Sequence, residues 1–412
     1  MELFKKIGRP IWRPLYGFAE KKKVEFRTFH VPLESLLRGG ENGIRAAKYA
    51  ELTQDFLRPS TSVFEGPHVQ LLQQYEVMGE EVLSQGVFEK TAYYKNAYEC
   101  MRLTGAYFYD RPEKIKELAR RLIAQYTGKQ GNYDRQPGQS DINQPIWVRP
   151  IRYSSCYEVI DGNHRIARAI MRGDKTIPAL VYEKEPVMTP LQQLLLDCLW
   201  INKQKWLYQP LDFPELRDQW PLVRKCSDRF DMMRNFLEQE EMSEWKKNYL
   251  DIGSSYGWFV SAFGQMGFSA HGLERDPFGM DIGFKVYGLK PTQIFHQDIV
   301  FGLTDLVQQK KTFSVVSCLS VLHHFVLNKS STSAEMLIQL IDQVTDKVLF
   351  FDTGEEHEAA FRGTLSGWNP EFIKAWLLKN TRFKQIISLG VDGDRKYPFE
   401  GYYRRTLFAC VK

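Results

Sequence analysis

The stretch KNYLDIGSSYGWFVSAFGQMGFSAHGLERDP, residues 247–277, decides the fold of the second half of this chain. A short apolar run ending at Ile252 enters a turn of small residues, Gly253 to Gly257, and an amphipathic helical stretch follows. Strand, small-residue turn and helix is the plan of a ligand crevice in a doubly wound sheet. Gly253 and Gly257 let the backbone come close to a ligand, and the helix start offers it unpaired N–H groups. A second strand, SAHGLE, ends in Glu274, where a carboxylate can accept hydrogen bonds from both hydroxyls of a ribose.

These residues resemble the first two motifs of class I S-adenosylmethionine-dependent methyltransferases. Asp251 matches the first acid, Gly253 and Gly257 the outer glycines, and Glu274 the ribose acid. Ser255 stands where the family most often has its middle glycine. The resemblance implies an α/β fold over residues 246–412, a Rossmann-like sheet with a terminal antiparallel hairpin, and S-adenosyl-L-methionine as cofactor. Later segments follow in the family's order. Asp298 in IFHQDIV falls where an acid or amide lies near the adenine, FSVVSCLSVLHHF and KVLFFDTGEE read as the fourth and fifth strands, and FKQIISLGVDGD with YYRRTLFACVK reads as the closing pair. The glycine spacing and that hairpin favour this reading over an NAD-binding domain.

Methyl transfer from a sulfonium needs mainly alignment and a base for the accepting group. His323 and His324 follow the fourth strand at the expected crevice mouth, and either imidazole titrates near neutral pH. Packing beside the cofactor is the alternative for the pair. After the fifth strand, Asp352, Glu355, Glu356 and His357 could contact a cationic acceptor, act as base or hold a divalent ion, or lie on a solvated loop. No metal is assigned. The fourth strand is not followed by Asp-Pro-Pro-Tyr or Asn-Pro-Pro-Tyr, which disfavours methylation of DNA bases.

The first half carries an independent signature in PIWVRPIRYSSCYEVIDGNHRIARAIMRGDKTIPALVYE, residues 145–183. Two strands lead into Asp161, Gly162, Asn163, His164 and Arg165, and a helix follows to Gly173. Helix N-terminal amides, an imidazole and a guanidinium converge there, the outline of a phosphate site. The turn is similar to that of the ParB/sulfiredoxin family, an α+β fold, and VEFRTFHVPLESLL at 24–37 matches the family's opening strand and short helix. Asn163 occupies the position of the sulfiredoxins' reactive cysteine, and no recognition helix follows Pro186, so sulfinic-acid repair and DNA partition are both disfavoured. Asp161, His164 and Arg165 also match the free serine kinase branch, which implies ATP or another nucleotide with Mg2+, with Asp161 activating a hydroxyl and Glu34 or Glu41 assisting. A binding-only role for the turn stands beside that.

Around these motifs, residues 67–128 read as a helical insertion within a domain at 26–185. Its tyrosine-rich stretch TAYYKNAYECMRLTGAYFYD reads as core, or as a wall for a sugar or nucleoside. The glycine- and glutamine-rich run at 128–145 reads as a loop. Residues 186–245 read as a helical connector or lid, from which Arg224 and Arg229 could reach an anionic acceptor or simply face solvent. The arm at 1–25 mixes lysines and arginines with Ile7, Trp12, Tyr16 and Phe18, which suits packing on its own protein or contact with an anionic membrane surface. A formal net charge of +5 over 412 residues does not call for a nucleic-acid partner, and six scattered cysteines suit a reducing cytoplasm.

Two functions follow. One is O-methylation of a small-molecule or saccharide acceptor, with the first domain binding or phosphorylating that acceptor and no DNA involved. The other is a methyltransferase brought to a nucleic acid or protein by a non-catalytic nucleotide-binding module. Oligomeric state is not legible.

Overall fold

The computed structural model describes residues 28–38, 44–107, 114–128, 144–182, 186–198, 205–240, 245–327, 331–393 and 402–412. The arm at 1–25, with the membrane contact expected of it, lies outside these, as do Glu41 and most of 128–145. Two compact units divide the chain: residues 1–197 with 212–219, and residues 198–211 with 220–412. The expected 186–245 connector is therefore not a separate element. Parts of it are built into each unit.

In the first unit, six strands form one mixed sheet: β1 (Thr28–Pro32), β2 (Leu36–Arg38), β3 (Thr61–Ser62), β4 (Ile146–Pro150), β5 (Tyr157–Asp161) and β6 (Thr176–Val181), in the order β1-β6-β4-β5-β2-β3. Its helices are α1 (Ala46–Thr53), α2 (Pro67–Met78), α3 (Ala92–Thr104), α4 (Ile115–Thr127), α5 (Asn163–Met171) and α6 (Pro190–Cys198). Alternation along the strands sends Val148, Val159, Ile177 and Ala179 to one face, where they pack against Ile166 and Ala169 of α5. Helices α2 to α4 form their own core, with Tyr93 and Tyr107 buried in it beside Leu72, Leu122 and Ala167. The tyrosine-rich stretch thus supplies core at these two positions, while Tyr94 and Tyr98 stack at the surface.

The second unit is a three-layer α/β fold. Its strands are β7 (Asn248–Ile252), β8 (Ser269–Glu274), β9 (Ile294–His296), β10 (Phe313–Leu319), β11 (Thr345–Asp352), β12 (Gln385–Val391) and β13 (Thr406–Val411), in the order β12-β13-β11-β10-β7-β8-β9. β7 to β11 run parallel, and β13 inserts antiparallel between β11 and β12. This is the Rossmann-like sheet with a terminal antiparallel hairpin. Every residue of β7 and β10 is buried, because helices cover both faces and leave no polar side to the strands.

The helices are α7 (Ser227–Gln239), α8 (Trp258–Gln265), α9 (Pro277–Val286), α10 (Ile299–Gln308), α11 (His323–Val326), α12 (Ala334–Val344) and α13 (Pro370–Asn380). Leu303, Leu337, Ile341, Ile373 and Leu377 from α10, α12 and α13 fill one face. Met233, Leu237, Phe259 and Phe263 from α7 and α8 fill the other. α7 is consequently a layer of the fold rather than a lid, since its apolar stripe is buried against the sheet. No helix among the described residues is long and apolar enough to cross a membrane.

One position fixes the turn after β5. Gly162 has φ +119°, and a Cβ there would sit 2.5 Å from Ile146 Cγ2. Alanine would be both strained and overpacked. Gly162→Ala is expected to lower unfolding free energy by about 2 kcal/mol in urea titrations followed by circular dichroism.

Candidate functional site

The second unit's sequence order reverses between β7 and β10, and that switch point is where open α/β sheets bind ligands, beyond the carboxyl ends of the strands. The glycine turn lies there. Gly253 and Gly257 have φ of +73° and +80°, and a Cβ on either would strike Val321 or Leu289 at 2.9 and 2.6 Å. Ser255 also takes positive φ, 54°. The amides of Gly253 and Ser254 both donate to the Leu273 carbonyl, which pins the turn to the end of β8.

Glu274 closes the turn from β8. Its Oε2 accepts the Ser255 amide at 2.7 Å, and its Oε1 accepts the Arg275 and Asp276 amides, both at 2.8 Å. Three fixed amides orient the carboxylate and leave Oε2 a further acceptor position. Asp298, two residues past β9, caps α10 by accepting the Val300 amide at 2.9 Å through Oδ1, and its Oδ2 lies 3.7 Å from Arg275. Asp251 is buried, with the Ser317 hydroxyl donating to it at 2.6 Å. Burial pushes its pKa up to about 7, against the opposing pull of Ser317 and Arg229.

Two residues that the motif does not contain complete this geometry. Ser317 lies beside Asp251 in the β10–β7 register. Gln209 donates to the Ser254 carbonyl at 3.2 Å and accepts the Trp258 amide at 3.1 Å. It ties the turn to the start of α8 and takes up one of the amides that sequence reasoning had left open there. Ser314 and Ser317 inside the otherwise apolar FSVVSCL were a visible signal. Gln209, 42 residues before Asp251, had none.

The histidines separate. His323 is buried, and its Nδ1 accepts the Gly354 amide at 3.2 Å, which places any neutral-form proton on Nε2. His324 is exposed, its ring 4.3 Å from that of His323.

The acids after β11 are structural. Asp352 is fully buried, with Arg229 at 3.1 Å, Arg224 at 3.4 Å and Arg405 at 3.9 Å, and it accepts the Ser320 amide at 2.7 Å. Burial alone would raise its pKa, but the three arginines outweigh this and hold it low. Arg224 also pairs with Asp392 at 3.1 Å, and Glu358 takes Arg405 in a bidentate pair at 2.7 and 3.0 Å. Arg224 and Arg229 are thus committed inside the fold, neither solvated nor free for an acceptor. Glu355 is likewise buried. Its Oε1 accepts the Thr406 amide at 2.5 Å, its Oε2 lies 3.4 Å from His357, and burial raises its pKa. It fastens β13 to the end of β11 rather than facing solvent. Glu356 binds the Gly367 amide, and His357 the Tyr403 carbonyl. Among the described residues no group of three His, Cys, Asp or Glu side chains is placed to hold a metal.

In the first unit, the Asp161–Arg165 turn sits between β5 and α5 as expected. Arg165 is buried and makes three contacts: it donates to the carbonyls of Gln144 and Pro145 at 3.1 and 2.7 Å and pairs with Asp161 at 2.8 Å. It orients Asp161, whose carboxylate is exposed, instead of offering its own charge to a phosphate. Asn163, at the first turn of α5, is half-buried. His164 packs 5.2 Å from His68, and burial, with Arg168, Arg121 and Arg165 adding to it, lowers its pKa to about 4, so it is neutral at pH 7. Glu34 is not brought to Asp161. Leu36, just beyond it, pairs with Tyr157 at the start of β5, about 13 Å of strand from Asp161.

The ParB N-terminal domain model matches residues 108–191, a span holding β4, β5, the turn, α5 and β6. Among solved structures, the bifunctional kinase-methyltransferase WbdD is similar over 53% of this chain and 46% of its own, at 15% identity and a TM-score of 0.38. This chain therefore spans less than half of that protein's length. Magnesium protoporphyrin IX methyltransferase (ChlM) from Synechocystis PCC 6803, with bound SAM, is similar over 45% of this chain and 79% of its own, at 17% identity and a TM-score of 0.32. A SAM-dependent methyltransferase from Archaeoglobus fulgidus is similar over 45% and 93%, at 11% identity and a TM-score of 0.33. No curated protein matches the sequence.

Two outcomes follow from the charges. Asp352→Ala leaves buried arginines uncompensated, so a loss of about 3–5 kcal/mol is expected in denaturant unfolding. Asp251 behaves in the opposite sense. Its pKa is raised in the fold from the ordinary 3.8 to about 7, so the native state holds the proton more tightly than the unfolded one. Its contribution is most favourable at low pH and declines as pH rises from 3.8 to about 7. Unfolding curves of the parent and Asp251→Asn should diverge in slope across that window and run parallel above it.

Proposed function

We propose that the second unit is an S-adenosylmethionine-dependent methyltransferase acting on a hydroxyl of a small molecule or saccharide. The observation that carries this is the Glu274 carboxylate, aimed by three backbone amides at the Gly253–Gly257 turn at the sheet's switch point. Such a carboxylate suits a ribose hydroxyl, and the positive-φ glycines admit a ligand close to the backbone. Asp251 behind the turn, its pKa raised to about 7, carries partial negative charge toward a cationic ligand at neutral pH, and Asp298 offers Oδ2 at the next strand end. S-adenosylmethionine, when bound, supplies the electrophilic methyl group. The residues of this chain align it and receive the acceptor's proton. The exposed His324 is the better placed of the pair to do so, with His323 holding the turn after β10 against Gly354.

For the first unit, the turn at Asp161–Arg165 is read as a nucleotide-phosphate site that binds through the amides at the start of α5. Asp161, exposed and oriented by Arg165, favours a phosphoryl-transfer role over binding alone, with ATP and Mg2+ as the natural partners.

Titration calorimetry with S-adenosylmethionine tests the first reading. Glu274→Ala should weaken binding roughly tenfold or more, the worth of hydrogen bonds to a charged group, and unchanged affinity would remove the assignment. Incubation with radiolabelled ATP and Mg2+ tests the second. Turnover lost in Asp161→Asn supports phosphoryl transfer, whereas binding without turnover leaves a recruiting module.

A further inference from the structure

On the sheet face of the first unit opposite to the Val148 and Val159 core, a cavity of about 210 Å³ opens between Arg149 of β4 and Glu158 of β5. The two residues are direct cross-strand partners. Both are more than nine-tenths buried, at 7% and 8% exposure. Among the buried arginines with an unpartnered Nε, Arg149 differs from Arg224 and Arg229 in making no ion pair such as theirs with Asp352 among the described residues. Its Nε is buried with no hydrogen-bond partner among the described residues. Its guanidinium lies 5.9 Å from the centre of the Tyr182 ring, and it attracts Glu158. Glu158 has a donor of its own in the Ala46 amide, and burial raises its pKa.

A buried guanidinium is costly unless an anion and hydrogen-bond acceptors meet it. The walls around it are rigid. Ser60 is held by its amide to buried Glu215 at 2.7 Å. Thr189 is locked by reciprocal bonds with Gln192, which is itself fully buried and tied to the carbonyls of Arg152 and Glu215. Ile151, Val187 and Met188 give the cavity an apolar side. A charged anchor, a neighbouring carboxyl and an apolar wall in a pre-formed cavity are the parts of a small-molecule site.

We propose that this cavity binds a small organic carboxylate, seated on the Arg149 guanidinium, with a hydroxyl or amino group of the ligand facing Glu158. A planar carboxylate matches the guanidinium fork bidentately. Volume limits the size: a cavity of about 150 Å³ accommodates benzene, so this one takes roughly eight or nine non-hydrogen atoms. The site is distinct from the phosphate-type turn. Glu158 and Asp161 project to opposite faces of β5, and about 10 Å of strand separates them. It depends on neither activity proposed above.

The test uses the full chain with benzoate, 3-hydroxybutyrate and 4-aminobutyrate as probes and benzamide as the neutral isostere of benzoate, read by thermal unfolding and titration calorimetry. Carboxylates should raise the Tm in a concentration-dependent way and benzamide should not. The variant Arg149→Met separates a ligand anchor from a structural cation. If Arg149 awaits a ligand anion, Arg149→Met, alone or with Glu158→Gln, keeps or raises the Tm of the free protein and abolishes the carboxylate response. Carboxylates that leave the parent's Tm and heats unchanged, benzamide acting as well as benzoate, or carboxylates binding equally well to Arg149→Met would each overturn the proposal.

Discussion

The second unit of this protein is organised around one buried carboxylate. Asp352 ends β11 with no exposure to solvent, faces arginines from α7, from the segment before it and from the approach to β13, and accepts the amide of Ser320 at the end of β10. Each of those contacts joins a different piece of chain. The arginines tie in the elements that frame the parallel core, and the amide fixes the turn that leads into His323 and His324. Isolated, any of these charges would be prohibitive to bury, and the cluster is tolerable only because the arginines and carboxylates are assembled together. Glu355 and Glu358 extend it by binding the Thr406 amide and the Arg405 guanidinium.

Ligand chemistry is laid over this frame by backbone conformation. Positive φ at Gly253, Ser255 and Gly257 turns the chain sharply between β7 and α8, and Glu274 is aimed by amides of that turn and of its own loop. Asp251 stays behind, hydrogen-bonded to Ser317 and close to half-ionised near neutral pH because burial opposes its charge. The turn therefore pairs an oriented, half-buried carboxylate with a fully buried one. In the first unit, a similar division holds at the other turn, where Arg165 is spent on backbone carbonyls and on holding Asp161 outward.

Much of this was legible in the residues themselves. Contiguous apolar runs at β7, β10 and β11 reflect strands covered on both faces, and the small-residue turn with an acid one strand later reflects a ligand crevice. The same local rules gave the β5–turn–α5 unit, because only glycine fits the conformation at Gly162. The misreadings share one cause. Arg224, Arg229, Asp352 and Glu355 were read from their positions as within reach of an acceptor or solvated, but a sequence does not show which distant segments will close over them.

By itself, then, the sequence determined the succession of strands along the second unit, the glycine turn with Glu274, and the phosphate-type turn at Asp161, since these rest on local φ requirements and short-range periodicity. Tertiary structure alone decided which charges are buried in pairs and which face outward. It buried His323 and exposed His324, recruited Gln209 to the start of α8, split the connector between two units, and set Arg149 against a cavity with its Nε lacking a hydrogen-bonding partner among the described residues. The physical reason is that burial and pairing are properties of distant segments brought together, and both the cost of a charge and its pKa depend on them rather than on the neighbouring residues in the chain.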